Sequence, residues 1–219
     1  MGIIGGLNTF TIAKPIIVSM FSGGLDSTGS LWKLLSSDEY KNFHIHVHHI
    51  NILNVESREK AEFKAVMKML NSLNNNGFKF SFSQGIQDFR YLHQIGFPMD
   101  MDICAFVAGQ MVRCIPNIQH IAMGRTISDM AEGGLDFSNR MERAQRIFKN
   151  SIDGVSNPSY IFPVVKYSKK EVFDMLPDYL KNGFWTCRSP IEKEGKFYPC
   201  NICHSCQSLK KHGIIQQII

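Results

Sequence analysis

An apolar run, Ile16-Ile17-Val18-Ser19-Met20-Phe21, leads directly into Ser22-Gly23-Gly24-Leu25-Asp26-Ser27-Thr28, after which Leu31, Leu34 and Leu35 fall on one helical face. The run reads as a buried strand and the leucines as an amphipathic helix over Leu25–Leu35. A glycine-rich turn between a strand and a helix constrains the fold strongly. It presents backbone N–H groups that the chain itself does not satisfy, and the helix end adds about half a positive charge. Such a turn is an anion site. Gly23 and Gly24 allow the backbone to approach the anion closely. Ser22, Ser27 and Thr28 add hydroxyl donors, and the carboxylate of Asp26 offers oxygen to a magnesium ion.

Two common phosphate loops are excluded. No Gly-Lys-Ser/Thr follows the turn, and Gly-x-Gly-x-x-Gly is absent. Ser22-Gly23-Gly24-Leu25-Asp26-Ser27 instead resembles the pyrophosphate loop of the ATP pyrophosphatase (PP-loop) superfamily. Its members split ATP into AMP and pyrophosphate and adenylate an oxygen of their substrate. The resemblance implies that Phe21, Ser22, Gly23, Gly24, Leu25, Asp26, Ser27 and Thr28 bind ATP, with Mg2+ held by Asp26.

The rest of the chain alternates between two periods. Phe43–His48 reads as a strand, and Phe63, Val66, Met67 and Leu70 follow a helical stripe. Phe78, Phe80 and Phe82 alternate as a strand. Ile103, Phe106, Val107, Met111 and Cys114 form a second stripe, and Gln119–Met123 is a short strand. Ser168-Lys169-Lys170-Glu171 is a capping box that starts a last helix near Val172 and Leu176. Strand–helix alternation predicts a doubly wound α/β fold with a mostly parallel sheet. Ligands of such sheets lie beyond the carboxyl ends of the strands, so the loops after Phe21, His49, Phe82 and Met123 are expected to line the site. His44, His46 and His48 share one strand face, which is compatible with a metal but is more commonly a face covered by a helix or a partner.

With 219 residues the chain can hold one α/β domain and a small appendage. Its net charge of +5 suits an anionic substrate and does not require nucleic acid. Residues 1–13 read as an extension before the first strand and make a poor signal peptide; with no membrane span in view, a cytoplasmic protein is expected. Four of the six cysteines, Cys187, Cys200, Cys203 and Cys206, lie near the C-terminus. In a chain without a secretion signal this favours metal over disulfides. Four thiolates at such spacing match a closed, tetrahedral structural Zn2+ site, with an iron–sulfur cluster as the alternative and His204 outside the ligand set. Such a site can supply about 10–16 kcal/mol of binding energy to a tail too short to own a core. Cys104 and Cys114 read as small buried residues. The expected division is an extension (1–13), a PP-loop ATP-binding domain (14–185) and a zinc-binding segment (186–219).

The loop and the cysteine tail together resemble the 7-cyano-7-deazaguanine synthases of queuosine precursor biosynthesis, over about Lys14 to Gly213. Ser22–Thr28 match the family loop, and the four cysteines match its zinc site. Arg58 and Glu62 are similar to its Arg-His-x-x-Glu-Leu stretch, with Glu59 in place of His. Gly124 and Asp129 resemble its Gly-x-Asn-x-x-Asp segment, with Thr126 in place of Asn. Phe162-Pro163-Val164 with Ser168-Lys169-Lys170-Glu171, Trp185-Thr186-Cys187 and Gly213 are similar to further family motifs. Two stretches depart. Where the family has Val-Pro-x-Arg-Asn, this chain has Phe97-Pro98-Met99-Asp100-Met101-Asp102, so two acids replace a cation. The segment Asp129–Asp136 also differs from the family's.

The resemblance implies an ATP-dependent carbon–nitrogen ligase. The carboxylate of 7-carboxy-7-deazaguanine is adenylated, ammonia displaces AMP, and the amide is activated again and dehydrated to a nitrile. Asp26, Ser27, Arg58, Arg125 and Asp129 are the catalytic candidates on this reading. Arg58 and Arg125 would contact phosphate or carboxylate, with Arg125 compensating for the lost arginine and Arg58 equally readable as a solvated surface charge. Asp129 and Asp136 would read the guanine-like edge. The substrates are small molecules, nucleic acid and membrane are not required, and family members are often homodimers. Two alternatives stand beside this reading: a related PP-loop enzyme acting on a different carboxylate or a tRNA base, and a nucleotide-binding module without catalysis.

Overall fold

The computed structural model describes residues 14–92, 99–152, 154 and 157–219. The expected extension over residues 1–13 lies outside the described residues, as do Phe97 and Pro98 of the divergent stretch. The chain forms β1 (Ile16–Met20), α1 (Leu25–Ser36), β2 (His44–Leu53), α2 (Glu59–Asn75), β3 (Ser81–Asp88), α3 (Asp100–Cys114), β4 (Ile118–Met123), α4 (Ile127–Ile152) and β5 (Ser159–Ile161). It then continues through α5 (Lys169–Met175), α6 (Asp178–Lys181), β6 (Ile191–Lys193), β7 (Lys196–Tyr198) and α7 (His204–Lys211).

Strands β1 to β5 make one parallel sheet in the order β3-β2-β1-β4-β5. The expected doubly wound α/β architecture is the one found. Every residue of β1 is buried, which explains why its sequence is apolar at every position but Ser19. One face carries Ile17, Phe21, Ile45 and Val47 against Leu31 and Leu34 of α1, Val66 and Met69 of α2 and Val172 of α5. The other carries Val18, Met20, Ile50 and Ile52 against Ala105, Ala108 and Val112 of α3 and Phe148 of α4.

The chain winds outward from β1 through β2 to β3, then crosses to β4 and winds the other way. The loops after β1 and β4 therefore diverge, and a crevice opens between them. Gly124, just past β4, closes the floor of that crevice. A Cβ there would lie 2.4 Å from the Ser27 nitrogen and 2.5 Å from the Asp26 carbonyl carbon, both rigid backbone.

Several sequence expectations shift. β2 runs on to Leu53 and β3 to Asp88, so no loop begins at His49 or Phe82. β3 starts at Ser81 because Phe78 leaves the strand to pack edge-on against Trp32, with centroids 5.3 Å apart. The buried stripe of α3 is Ile103, Ala105, Ala108, Gly109 and Val112, so Ile103 is buried as expected while Phe106 and Cys114 are exposed. Small residues win the inner face because α4 comes very near: a Cβ on Gly109 would sit 2.4 Å from Ser151 Cβ. α4 is a long helical element interrupted at Gly134, whose φ of 53° lies outside helical space. The capping box at Ser168 forms as expected, with both reciprocal bonds present, but α5 is followed by α6 and α7 and so is not the last helix.

Beyond Phe184 the chain forms a small β6–β7 hairpin and α7, whose Trp185, Cys187, Phe197 and Cys206 pack with Ala61 and Ala65 of α2 and with Ile219. No described helix is long and apolar enough to cross a membrane. Gly124→Ala is expected to lower unfolding free energy by about 1–3 kcal/mol, because the new methyl forces the backbone of α1's first turn aside. Urea denaturation measures this; an unchanged midpoint and slope would show that the two loops do not meet so closely.

Candidate active site and metal centre

Gly23 adopts a φ of 76°, which only glycine takes readily, and this turns β1 into α1. A Cβ there would lie 3.0 Å from Val66 Cγ2, so the same glycine lets α2 close behind the loop. The carbonyl of Gly23 accepts from the Trp185 amide at 2.8 Å, and His49 Nδ1 holds the Phe21 carbonyl at 2.9 Å. Ser22 Oγ and Ser27 Oγ lie 3.1 Å apart across the turn, and Ser27 Oγ donates to the Gly24 carbonyl at 3.0 Å. Gly24 offers α1 no side-chain cap; the Gly24 amide donates to Ser22 Oγ at 3.3 Å and the Leu25 amide to Thr186 Oγ1 at 3.5 Å, while Asp26 and Ser27 line the crevice.

The crevice is a cleft of about 330 Å³. Phe21, Ser22, Gly24, Leu25, Asp26 and Ser27 line it; Gly23 and Thr28 do not. Thr28 is buried beneath the loop, at 2% exposure. Arg58, Arg125 and Asp129 also reach the cleft, so the five catalytic candidates converge there from the loops after β1, β2 and β4. Asp136 does not: it is exposed and pairs with Arg140 one helical turn away. The Arg58 side chain is buried, not solvated.

Two charge clusters shape the cleft. In the first, Lys169 Nζ lies 2.7 Å from Asp26 Oδ2 and 2.6 Å from Asp129 Oδ1. Asp129 also accepts from the Thr126 amide and hydroxyl at 3.0 and 2.9 Å. Burial raises the Asp26 carboxyl above its ordinary range despite Lys169. Burial also works against ionisation of Asp129, but Lys169 and the Thr126 amide outweigh it and hold that carboxyl low. Burial would lower the Lys169 ammonium, and the two carboxylates more than restore it. Asp26 Oδ1 is buried and has no hydrogen-bond partner among the described residues, which fits an oxygen site for a divalent cation. Local sequence gave Lys169 only as the first residue after a helix cap; its role comes from a contact 143 residues away.

In the second cluster, Arg58 pairs with Asp100, with Glu62 at 3.3 Å and with Glu56 at 3.1 Å. Arg188, which follows Cys187, makes a two-point pair with Glu56 at 2.6 and 2.9 Å and lies 3.5 Å from Asp100. Asp100 is thus a bridging acid between two arginines, and Asp102 is taken by Arg143 at 3.0 Å. Asp100 and Asp102 are thus internally neutralised. Arg188 was not visible as a site residue in the sequence.

Cys104 lines the cleft, but burial and the nearby Asp100 raise its thiol to about 12, so it stays protonated and is a poor nucleophile. Cys114 is exposed on the far end of α3, contrary to the expected burial.

The sulfurs of Cys187, Cys200, Cys203 and Cys206 all lie within 4.8 Å of one another, and no other such ligand group occurs among the described residues. Zn–S bonds of about 2.3 Å place tetrahedral sulfurs about 3.8 Å apart, which suits this spread. A cubane cluster binds each thiolate to a different iron and needs wider spacing. Backbone amides aim at the sulfurs: Cys200 to Cys187 Sγ at 3.2 Å and Cys203 to Cys200 Sγ at 3.3 Å, which steadies thiolates. The residues therefore fit a single metal ion. α7 is tied to α4 by Ser208 donating to Glu132 at 2.8 Å, and Glu132 lines the cleft.

No family model matches the sequence, and no curated protein matches it. Among solved structures, the chain is similar to the U34-tRNA thiolase NcsA from Methanococcus maripaludis with its 4Fe–4S cluster, at a TM-score of 0.48 and 16% identity. The match covers 92% of this chain, which spans 65% of the length of that one.

Burial raises Glu62 to about 7, with Arg58 pulling the other way. The native state therefore holds this proton where the unfolded chain, at its ordinary 4.5, has released it. Stability from this group is full below about pH 4.5 and is lost as pH rises through about 7. The stability of the parent relative to Glu62→Gln should fall by up to about 3 kcal/mol across that window. Denaturant titrations of both proteins at several pH values check this; a difference independent of pH would mean an ordinary, ionised Glu62.

Proposed function

We propose that this chain is an ATP-using enzyme of the PP-loop class that adenylates a carboxylate and passes the acyl group to ammonia. The observation that carries the reading is the uncapped start of α1 at Gly24, opening with Asp26, Lys169 and Asp129 into one cleft. The backbone of Ser22–Ser27 would hold the pyrophosphate as it departs. Asp26, with its unpartnered Oδ1, would hold Mg2+, which neutralises phosphate charge when bound.

A carboxylate is a poor electrophile, and AMP is a good leaving group. The protein's task is positioning and charge stabilisation. Lys169 would supply a cation to the charge that develops as the bond between the α- and β-phosphates breaks. Arg125, whose Nη1 donates to the Gly124 carbonyl at 3.1 Å, stands at the mouth of the β4 loop for a phosphate or carboxylate. Arg58 is held by three acids, which supports a wall-building role rather than direct phosphate binding. Arg188 brings a guanidinium to the cleft wall, and this favours a carboxylate-bearing small molecule as the second substrate. The sequence resemblance favours 7-carboxy-7-deazaguanine, with amide and then nitrile as products. In the C-terminal segment the ion would be Zn2+, closed by four thiolates and structural, since no position is left for water.

Incubation with ATP, Mg2+, ammonium and 7-carboxy-7-deazaguanine, followed by mass spectrometry, is expected to give the nitrile with AMP. Asp26→Asn and Lys169→Met are each expected to lower AMP formation at least about a hundredfold while circular dichroism stays native. AMP formation at the parent rate by either variant would remove that residue from the chemistry, and no AMP from the parent would overturn the reading. Elemental analysis of the purified chain should find about one zinc, lost in Cys200→Ser; stoichiometric iron would refute the zinc assignment.

A further inference from the structure

His44, His46 and His48 do not converge on a metal. They alternate with two serines of the neighbouring strand in an unbroken line of hydrogen bonds. His44 Nε2 lies 2.7 Å from Ser81 Oγ, and Ser81 Oγ lies 2.7 Å from His46 Nδ1. His46 Nε2 lies 2.8 Å from Ser83 Oγ, which lies 2.7 Å from His48 Nδ1. The parallel register makes this possible by setting His46 beside Ser81 and His48 beside Ser83. The two-residue period of a strand keeps all five side chains on one face. The line covers about 13 Å along the sheet, four residue steps of about 3.3 Å.

Its two ends differ. His44 is only half-buried at the outer end of β2. His48 is 8% exposed and lines the cleft, and its Nε2 is buried without a partner among the described residues. Where the pattern on β3 calls for a third serine, the residue is Gly85. It offers Nε2 no side-chain partner; Nε2 lies 3.7 Å from where a Cβ on Gly85 would stand.

We infer that His44, Ser81, His46, Ser83 and His48 form a proton relay between the outer surface and the cleft, with His48 Nε2 as the group that exchanges a proton with the reactants. The inference rests on the proposed transfer of an acyl group to ammonia. A neutral imidazole has one donor and one acceptor nitrogen, and a hydroxyl can do both. Two arrangements satisfy every link. Either all three rings carry the proton on Nε2 and donate toward the cleft, or all three carry it on Nδ1 and donate outward.

In the outward arrangement His48 Nε2, on a residue that lines the cleft, carries a free lone pair. As ammonia attacks the acyl carbon, the C–N bond forms and the bond from carbon to the AMP oxygen breaks with its electron pair. The excess proton on nitrogen passes to His48 Nε2. His48 Nδ1–H passes to Ser83, the Ser83 hydroxyl proton to His46 Nε2, His46 Nδ1–H to Ser81, the Ser81 proton to His44 Nε2, and His44 Nδ1–H to water. One proton has left, and the rings are neutral again in the other tautomer. Burial lowers His46 and His48 to about 4, which keeps them neutral and able to accept at neutral pH.

Two measurements on the full chain test this. Proton–nitrogen correlation spectra of the histidine rings at neutral pH should show His44, His46 and His48 in one shared tautomer. Mixed tautomers would overturn the relay, because a hydroxyl between two donors cannot pass a proton. The second compares Ser83→Ala with the parent, using ATP, Mg2+ and 7-carboxy-7-deazaguanine for pyrophosphate exchange and the same mixture with ammonium for amide formation. The variant should slow amide formation about a hundredfold more than exchange, and added imidazole should restore part of the loss. Equal effects on the two steps would overturn the relay. A parent that exchanges no pyrophosphate would overturn the adenylation reading instead and leave the ring spectra to decide the relay.

Discussion

One ammonium group joins the parts of this protein that matter most. Lys169 belongs to the first turn of α5, yet it sits between a carboxylate from the loop after β1 and another from the loop after β4. Those loops diverge because the strand order reverses between their strands, and nothing else in a parallel sheet obliges them to meet. A buried cation between two acids does so, because removing either kind of partner leaves unpaired charge where water cannot solvate it. Gly124 allows the approach sterically, and the capping box of α5 sets the lysine at its height. Ser128 Oγ, accepting the Lys169 amide at 3.1 Å, fixes the backbone beneath it.

The metal segment is a wall of the same cleft. Trp185 bonds to the Gly23 carbonyl, Arg188 clasps Glu56, and α7 holds Glu132 of α4. A short tail with a two-strand hairpin cannot stabilise such placement by itself. Four thiols gathered within 4.8 Å offer the missing cross-link. The gain extends beyond the tail, since Arg188 follows a metal-ligand cysteine directly in sequence and inherits its position.

Features written in neighbouring residues were legible in the sequence: the turn at Ser22–Thr28, the cysteine spacing, the capping box at Ser168 and the alternation that predicts a parallel sheet. What escaped depends on distance. Lys169 and Arg188 look like surface cations until α5 and the tail fold back over the strand ends. Asp100 looks like a reversal of charge until two arginines arrive. Beyond Ile103, which is buried as expected, the stripe on α3 was misplaced because apolar size marks Phe106 and Val107, whereas the inner face is selected by smallness where α4 comes close. Phe78 has the alternation of a strand residue and is drawn out of the strand by Trp32. α4 is low in apolar residues and carries Gly133-Gly134, which hides a helix behind a turn signal.

The charge balance of the cleft bears on how a triphosphate would be held. Three acids, Glu56, Glu62 and Asp100, face two arginines in one cluster, and two acids face one lysine in the other. Side-chain cations in these clusters are already committed to carboxylates. On the proposed reading, phosphates would be met by Lys169 and by backbone amides at the start of α1, whose dipoles are fixed before any ligand arrives. Fixed dipoles are not reorganised as charge moves from the α- to the leaving pyrophosphate oxygens, so their stabilisation can be larger in the transition state than in the ground state. A cleft built from many strong ion pairs to the substrate would instead hold both states alike. If the cleft holds ATP as proposed, its acids serve by keeping the arginines and the lysine in place, and Lys169 shares the selective work with the peptide backbone.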